Sequence, residues 1–88
     1  EEEDVREALL IIYCVSSGNP NAVNINKDKS TDVGLFQFWD NTWLWLKDKL
    51  KFTGNRTTPS VNTRVASWLY YNSGSHHWNS SKFCWEEK

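Results

Sequence analysis

Four short stretches of this chain gather the side chains able to do chemistry. The first runs from Cys14, Val15, Ser16 and Ser17 through Gly18-Asn19-Pro20-Asn21 to Asn24 and Asn26. The second is Ser30-Thr31-Asp32-Val33-Gly34-Leu35-Phe36-Gln37, the third Thr42-Trp43, and the fourth Trp68-Leu69-Tyr70-Tyr71-Asn72-Ser73-Gly74. A carboxylate such as Asp32 can move a proton or face a developing positive charge. The amides of Asn24, Asn26, Gln37 and Asn72 both donate and accept hydrogen bonds, as recognition of a hydroxyl-rich ligand requires. Each group also has a purely structural reading. Asp32 could cap a turn, Asn24 and Asn26 could sit in a hairpin turn, and Gln37 could satisfy buried backbone. Tyr71 and Asn72 could simply end a helix. Metal chemistry is not indicated: two cysteines and the adjacent pair His76 and His77 lack ligand spacing, so no metal or other cofactor is expected. The two histidines read as surface loop residues, and Asn55-Arg56-Thr57 and Asn79-Ser80-Ser81 are short enough to match a glycosylation acceptor by accident.

The elements that must position these groups are legible in outline. Val5, Ala8, Leu9 and Ile12 recur at helical spacing over residues 4–15, with acids at the N-terminal end where the helix dipole favours them. Gly18 and Pro20 break the pattern. Residues 22–26 and 31–36 then read as a short β-hairpin around the turn-like Lys27-Asp28-Lys29-Ser30. A second helix is expected from an N-cap at Asp40 to about Phe52, with Trp43, Leu46 and Leu50 as its stripe and Gly54 as its stop. Thr58 should cap a third helix with Pro59 at its first position, Val61, Val65, Trp68 and Leu69 as its apolar face, and Gly74 at its end. The aromatic tail from Ser75 to Trp85 should pack back through Trp78, Phe83 and Cys84. Trp39 and Trp78 are the candidates for exposed stacking platforms.

Composition narrows the class. With 88 residues, 39% hydrophobic and 15% aromatic, the chain is one folded domain rather than a disordered segment. Its longest apolar run, Ala8 to Val15, is far too short to span a membrane, and no signal-peptide pattern is visible. The net charge of −1 hides an asymmetry. Residues 1–4 and 86–88 read as tails, acidic in balance, around a body of residues 5–85 carrying a formal +4, which suits a polyanionic partner such as bacterial cell wall or nucleic acid, or is simply a soluble surface between acidic tails. No nucleic-acid-binding module is recognisable, so nucleic acid is not an expected partner. Cys14 and Cys84 either pair, closing a long loop worth roughly 4 kcal/mol in an oxidising compartment, or remain two free buried thiols.

Taken in order, the four stretches resemble the lysozyme-like superfamily over roughly residues 5–85. The first two resemble animal lysozymes. Gly34-Leu35-Phe36-Gln37 and Tyr71-Asn72-Ser73-Gly74 resemble bacterial and phage lytic transglycosylases. Cysteines flanking the fold, the second next to a Trp, resemble resuscitation-promoting factors. The resemblance implies an α+β, mainly α fold: a small lysozyme-like domain of three main helices and a short hairpin, with one disulfide, Cys14–Cys84. It implies cleavage of peptidoglycan or N-acetylglucosamine oligomers by a monomer that is secreted, periplasmic or virion-associated.

The resemblance also exposes a departure. The family breaks a glycosidic bond with a partly desolvated Glu at the end of a helix as general acid, and a second carboxylate in the hairpin faces the sugar carbon. Here the acid's position holds Val15, followed by Ser16, while the hairpin carboxylate, Asp32, is present. Gln37, Asn24 and Asn26 match cleft positions of the family, and Tyr71 and Asn72 match the transglycosylase pair that orients the acid and contacts substrate. Losing a positioned acid costs on the order of 10²–10⁴ in rate, so the domain is expected to be inactive or strongly impaired. Two alternatives stand beside this reading. One is a non-catalytic glycan-binding module. The other is an engineered or designed scaffold that keeps the fold, in which an apolar residue at position 15 spares the cost of burying an ionisable group.

Overall fold

The computed structural model describes residues 2–86; Glu1, Glu87 and Lys88, which belong to the expected tails, lie outside the described residues. The chain folds as α1 (Glu2–Ser16), β1 (Val23–Ile25), β2 (Thr31–Val33), β3 (Phe38–Trp39), α2 (Asp40–Leu50) and α3 (Pro59–Ser73). A 3-10 stretch (Ser75–Ser81) and a short α4 (Lys82–Trp85) follow. The α+β, mainly α class, the three main helices, the hairpin and the disulfide are as expected.

Several details differ for identifiable reasons. Glu2, Glu3 and Asp4 form the first turn of α1 rather than a tail, at the helix end where acids are favoured. Hydrophobic residues wrap most of α1, so one side must stay wet. Ile11 is fully buried, while Val5 and Leu9, expected in the core, are exposed.

The hairpin gains a third strand. The antiparallel sheet has the order β1-β2-β3, pairing Asn24 with Asp32 and Asp32 with Trp39. β2 stops at Val33 because Gly34 turns the chain with φ +93°, and Gln37 also lies at positive φ. A Cβ on Gly34 would collide with Arg56 O and the Asn62 side chain, so both backbone angle and close approach demand glycine there.

Asp40 does not act as the N-cap of α2. Trp39 holds that position, and the Asp40 carboxylate instead accepts bonds from Thr31 N (2.8 Å) and Oγ1 (2.6 Å) and pairs with Arg56 Nη1 (2.7 Å). These bonds to Thr31 hold its carboxyl below the usual carboxylate range. The helix ends at Leu50 with Lys51 left-handed, before Gly54. α3 begins at Pro59 and stops at Gly74, whose N–H closes on Tyr70 O at 2.8 Å.

The core is aromatic. Phe36 and Phe38 lie 5.6 and 6.4 Å from Trp78, and Phe38 lies 5.2 Å from Trp43, with Leu46, Val65 and Leu69 around them. Burying each such side chain contributes about 1.5–3 kcal/mol. The tail closes this core, though not as expected. Phe83 is 82% exposed, and Trp85, two residues on, is buried with its Nε1–H shared between Trp78 O and Ser81 Oγ. In so short a helix only one side faces inward, and the indole takes it because its N–H finds acceptors there. Cys84 bonds Cys14 and so fastens α4 to the end of α1.

Candidate functional site

The functional side chains converge where α1 ends against the sheet. Its last turn presents Cys14 and Val15 to a cleft of about 330 Å³. Across the cleft, the sheet and its β2–β3 turn supply Asn24, Asp32, Gln37 and Trp39. Thr42 and Leu69 also line it, and the 3-10 stretch adds His77, Ser80 and Ser81. Asp32 and Trp39 also border an open groove of about 430 Å³ that runs over Asn26 and Ser30 on the hairpin turn. The cleft is therefore not a closed pit but one end of a longer furrow.

The β2–β3 turn that shapes this furrow is held from beneath. Asn62 is fully buried in α3: its Oδ1 accepts from Phe36 N (3.0 Å) and its Nδ2 donates to Arg56 O (2.8 Å). Arg56 donates to Phe38 O (2.9 Å) and Thr31 O (3.2 Å) while paired to Asp40. On top, Gln37 Nε2 reaches Gly34 O (2.9 Å) and Ala22 O (3.0 Å), leaving its Oε1 to accept from Asn24 Nδ2 (2.6 Å). Gln37 thus satisfies backbone groups and lines the cleft at once.

Asp32 is the cleft's carboxylate. Burial raises its pKa above the ordinary carboxylate value, and a hydrogen bond from the Asn26 side chain opposes that rise. Val15, which faces the same space, is half-buried and packs against the core.

A helix end, a hairpin carboxylate and a furrow between them fit one family. The model of the transglycosylase SLT domain matches residues 1–82. The chain belongs to the transglycosylase SLT domain family. No curated protein and no solved structure matches it significantly. An SLT domain is lytic transglycosylase-like and peptidoglycan-cleaving, within the lysozyme-like superfamily, and acts on its substrate outside the cytoplasm. Among the described residues no helix is long and apolar enough to cross a membrane.

Against that SLT frame, the residues singled out in the sequence divide into two groups. Val15, Asp32, Asn24 and Gln37 meet around the cleft, and Asn26 lies on its outer extension. Ser16 turns inward: its buried Oγ lies 3.0 Å from Ile12 O and 2.8 Å from Leu35 O, tying α1 to the turn. Tyr71 and Asn72 lie outside the cleft. Tyr71 Oη reaches Asp4 Oδ2 (3.3 Å) near the start of α1, and Asn72 Nδ2 donates back to Trp68 O (2.8 Å). Tyr70 beside them donates to Glu7 Oε2 (2.6 Å), a bond that raises its pKa well above the ordinary phenol range. Of the two stacking candidates, Trp39 is 39% exposed at the cleft edge, whereas Trp78 is buried with its Nε1–H on Phe36 O at 2.9 Å.

Three contributors were not singled out as site residues. Asn62 shares the helical phase of Val65, Ala66 and Leu69, and an amide on an apolar stripe is itself a signal. Arg56 sits in a polar loop with no pattern to mark it. His77 is exposed, as expected, but on the 3-10 stretch rather than a loop, and it lines the cleft.

Proposed function

We propose that this SLT domain binds a peptidoglycan-type chain of N-acetylglucosamine units along the furrow from Val15 past Asp32 and Trp39. We further propose that, as written, it fails to cleave that chain or cleaves it very slowly. The observation that carries this reading is the shared cleft of Val15 and Asp32. Glycoside cleavage needs a proton delivered to the leaving oxygen as positive charge develops on the sugar carbon. Asp32 is suited to face that charge. Val15 has no proton to give, so the leaving sugar must depart as an unprotonated oxygen, which slows the reaction on the order of 10²–10⁴-fold. Gln37, Asn24 and Asn26 would hold the sugar's hydroxyl and acetamido groups, and Trp39 offers a face for stacking.

The test is Val15→Glu. The parent should leave bacterial cell walls intact in a turbidity assay, and the variant should clear them. A folded Glu variant that breaks no glycosidic bond, or a parent that cleaves as fast as the variant, refutes the reading. Product analysis of the active variant separates hydrolysis, which Asp32 favours, from anhydro-sugar formation.

A second reading, a glycan-binding module without catalysis, is favoured by the intact Gln37–Asn24 pair beside the half-exposed Trp39. It requires saturable binding of N-acetylglucosamine oligomers by the parent, weakened in Gln37→Ala. In either case the domain works as a monomer outside the cytoplasm, secreted, periplasmic or carried on a virion, where a Cys14–Cys84 disulfide persists.

A further inference from the structure

The two sides of α2 differ. Trp43, Leu46 and Leu50 pack into the core. Leu44 and Trp45, between them in sequence, face outward at 62% and 50% exposure, and Trp45 is the most open of the six indoles. Neither belongs to the packed core. Lys47 and Lys49 follow in the last turn, and Lys51 caps it. One acid lies among them, Asp48, which pairs with Lys51 at 3.4 Å. The helix's other acid, Asp40, is held by Arg56 and Thr31. The strands that α2 packs against, β2 and β3, bring one charge, Asp32, and it faces the cleft. The hairpin turn leading into β2 carries Lys27 and Lys29 around Asp28. Glu2, Glu3 and Asp4 stand on α1, which packs instead against the 3-10 stretch and α4. The α2 side of the molecule is therefore an exposed apolar pair in a basic setting.

We propose that the outer face of α2 docks this domain on an anionic lipid bilayer, with Leu44 and Trp45 entering the boundary between headgroups and acyl chains and the lysines meeting lipid phosphates. The combination of groups selects the occupant. A polyanion dissolved in water would engage the lysines and leave Leu44 wet. A bilayer takes both: an indole and an aliphatic chain settle at the interface, while lysine stems lie along apolar surface and lift their ammonium groups to the phosphates. Asp48 sits within this face, and its pairing with Lys51 leaves Lys47 and Lys49 as the cations in excess. The proposal is independent of what the cleft binds. It does fix where the cleft would work, because Thr42 of the same helix lines it and Trp39 at its edge immediately precedes the helix.

Vesicle co-sedimentation tests it, with no sugar present. Vesicles mixing phosphatidylglycerol with phosphatidylcholine should bind the protein about 25-fold more tightly than phosphatidylcholine alone, about fivefold for each lysine in excess, and high salt should erode the difference. Lys47→Gln combined with Lys49→Gln should lose that factor. Leu44→Ser combined with Trp45→Ser should cost at least about tenfold on the mixed vesicles. Tyr13→Ser, at an exposed aromatic on α1, should change nothing. Brominated acyl chains should quench the tryptophan fluorescence of the bound parent, and Trp45→Phe should stay bound but lose most of that quenching. Equal binding to both vesicle types, or none to either, overturns the proposal. So does binding that depends on the lysines but survives the loss of Leu44 and Trp45, which would make this face a plain polyanion surface, or quenching that persists in Trp45→Phe. Each of these results leaves the glycan reading of the cleft standing.

Discussion

Replacing Asn62 by Ala tests the account of how the site is built. The amide is fully buried and serves Phe36 N–H and Arg56 C=O at short range, with Val33 C=O at a longer 3.5 Å. Each buried backbone group left unsatisfied costs about 1–3 kcal/mol. The Phe36 bond lies in the interior and belongs at the upper end of that range. The Arg56 bond is part-buried and belongs at the lower end, giving about 3 kcal/mol together. A domain of this length holds roughly 4–13 kcal/mol in all, so the variant should remain folded but lose on the order of 15 °C in Tm. Urea unfolding followed by the fluorescence of the six Trp residues reads the loss directly. Asn62→Asp adds a sign: it keeps the acceptor for Phe36 N–H but buries a carboxylate, so its deficit should shrink as pH falls and the acid regains a proton to donate. Asn41→Ala, at an exposed position, is the control. A loss under about 1 kcal/mol, or one no larger than the control's, refutes the claim that Asn62 fastens the turn.

Two further perturbations follow the same logic. Reducing the Cys14–Cys84 disulfide, whose sequence separation is 70, should lower stability by roughly 4 kcal/mol and is read as a shift in the urea midpoint with and without reductant. Asp32 has a raised folded pKa, so the folded state binds its proton more tightly than the unfolded chain does. Ionised Asp32 therefore subtracts from stability above its folded pKa, and the penalty vanishes as pH falls below the unfolded value. Asp32→Asn should accordingly be at least as stable as the parent at pH 7, with the advantage fading by pH 3 in a pH series of melts, while glycan affinity drops.

What the sequence disclosed tracks the range over which each signal acts. The three long helices announce themselves within one window, through the stripe of Trp43, Leu46 and Leu50 or the Thr58-Pro59 start. The end of β2 does not, because the alternation from Thr31 continues through Phe36 and only the positive φ at Gly34 and Gln37 reveals the turn. Phe83 and Trp85 are equally apolar on paper, and an indole acceptor seven residues back decides between them. Val15 and Asp32 were recognisable together only through family resemblance, since nothing local ties a helix end to a strand 17 positions on. Asn62 and Arg56 reach the backbone of Val33, Phe36 and Phe38, 18–29 residues away, a distance no periodicity reports.

The cleft's shape and its chemistry are separable in this fold, because the side-chain bonds that hold the turn run through Ser16, Gln37, Asn62, Arg56 and Trp78, and none involves the side chain at position 15. Val15→Glu should therefore leave the furrow standing while changing its energetics. A carboxyl in that half-buried seat exchanges contact with the core for a desolvated charge. Desolvation raises its pKa, and each unit of rise costs 1.36 kcal/mol once the group is ionised. A rise of about two units, enough to keep a useful fraction protonated near neutrality, therefore removes about 2.7 kcal/mol of stability at high pH. The penalty and the catalytic competence are one quantity seen twice: an acid that costs nothing to bury is ionised and cannot donate. Melting curves of the two proteins across pH 4–8 should show the Glu form falling behind as pH rises. If it instead equals or exceeds the parent throughout, position 15 is not desolvated, valine gives the fold no advantage, and the seat would not have tuned an acid.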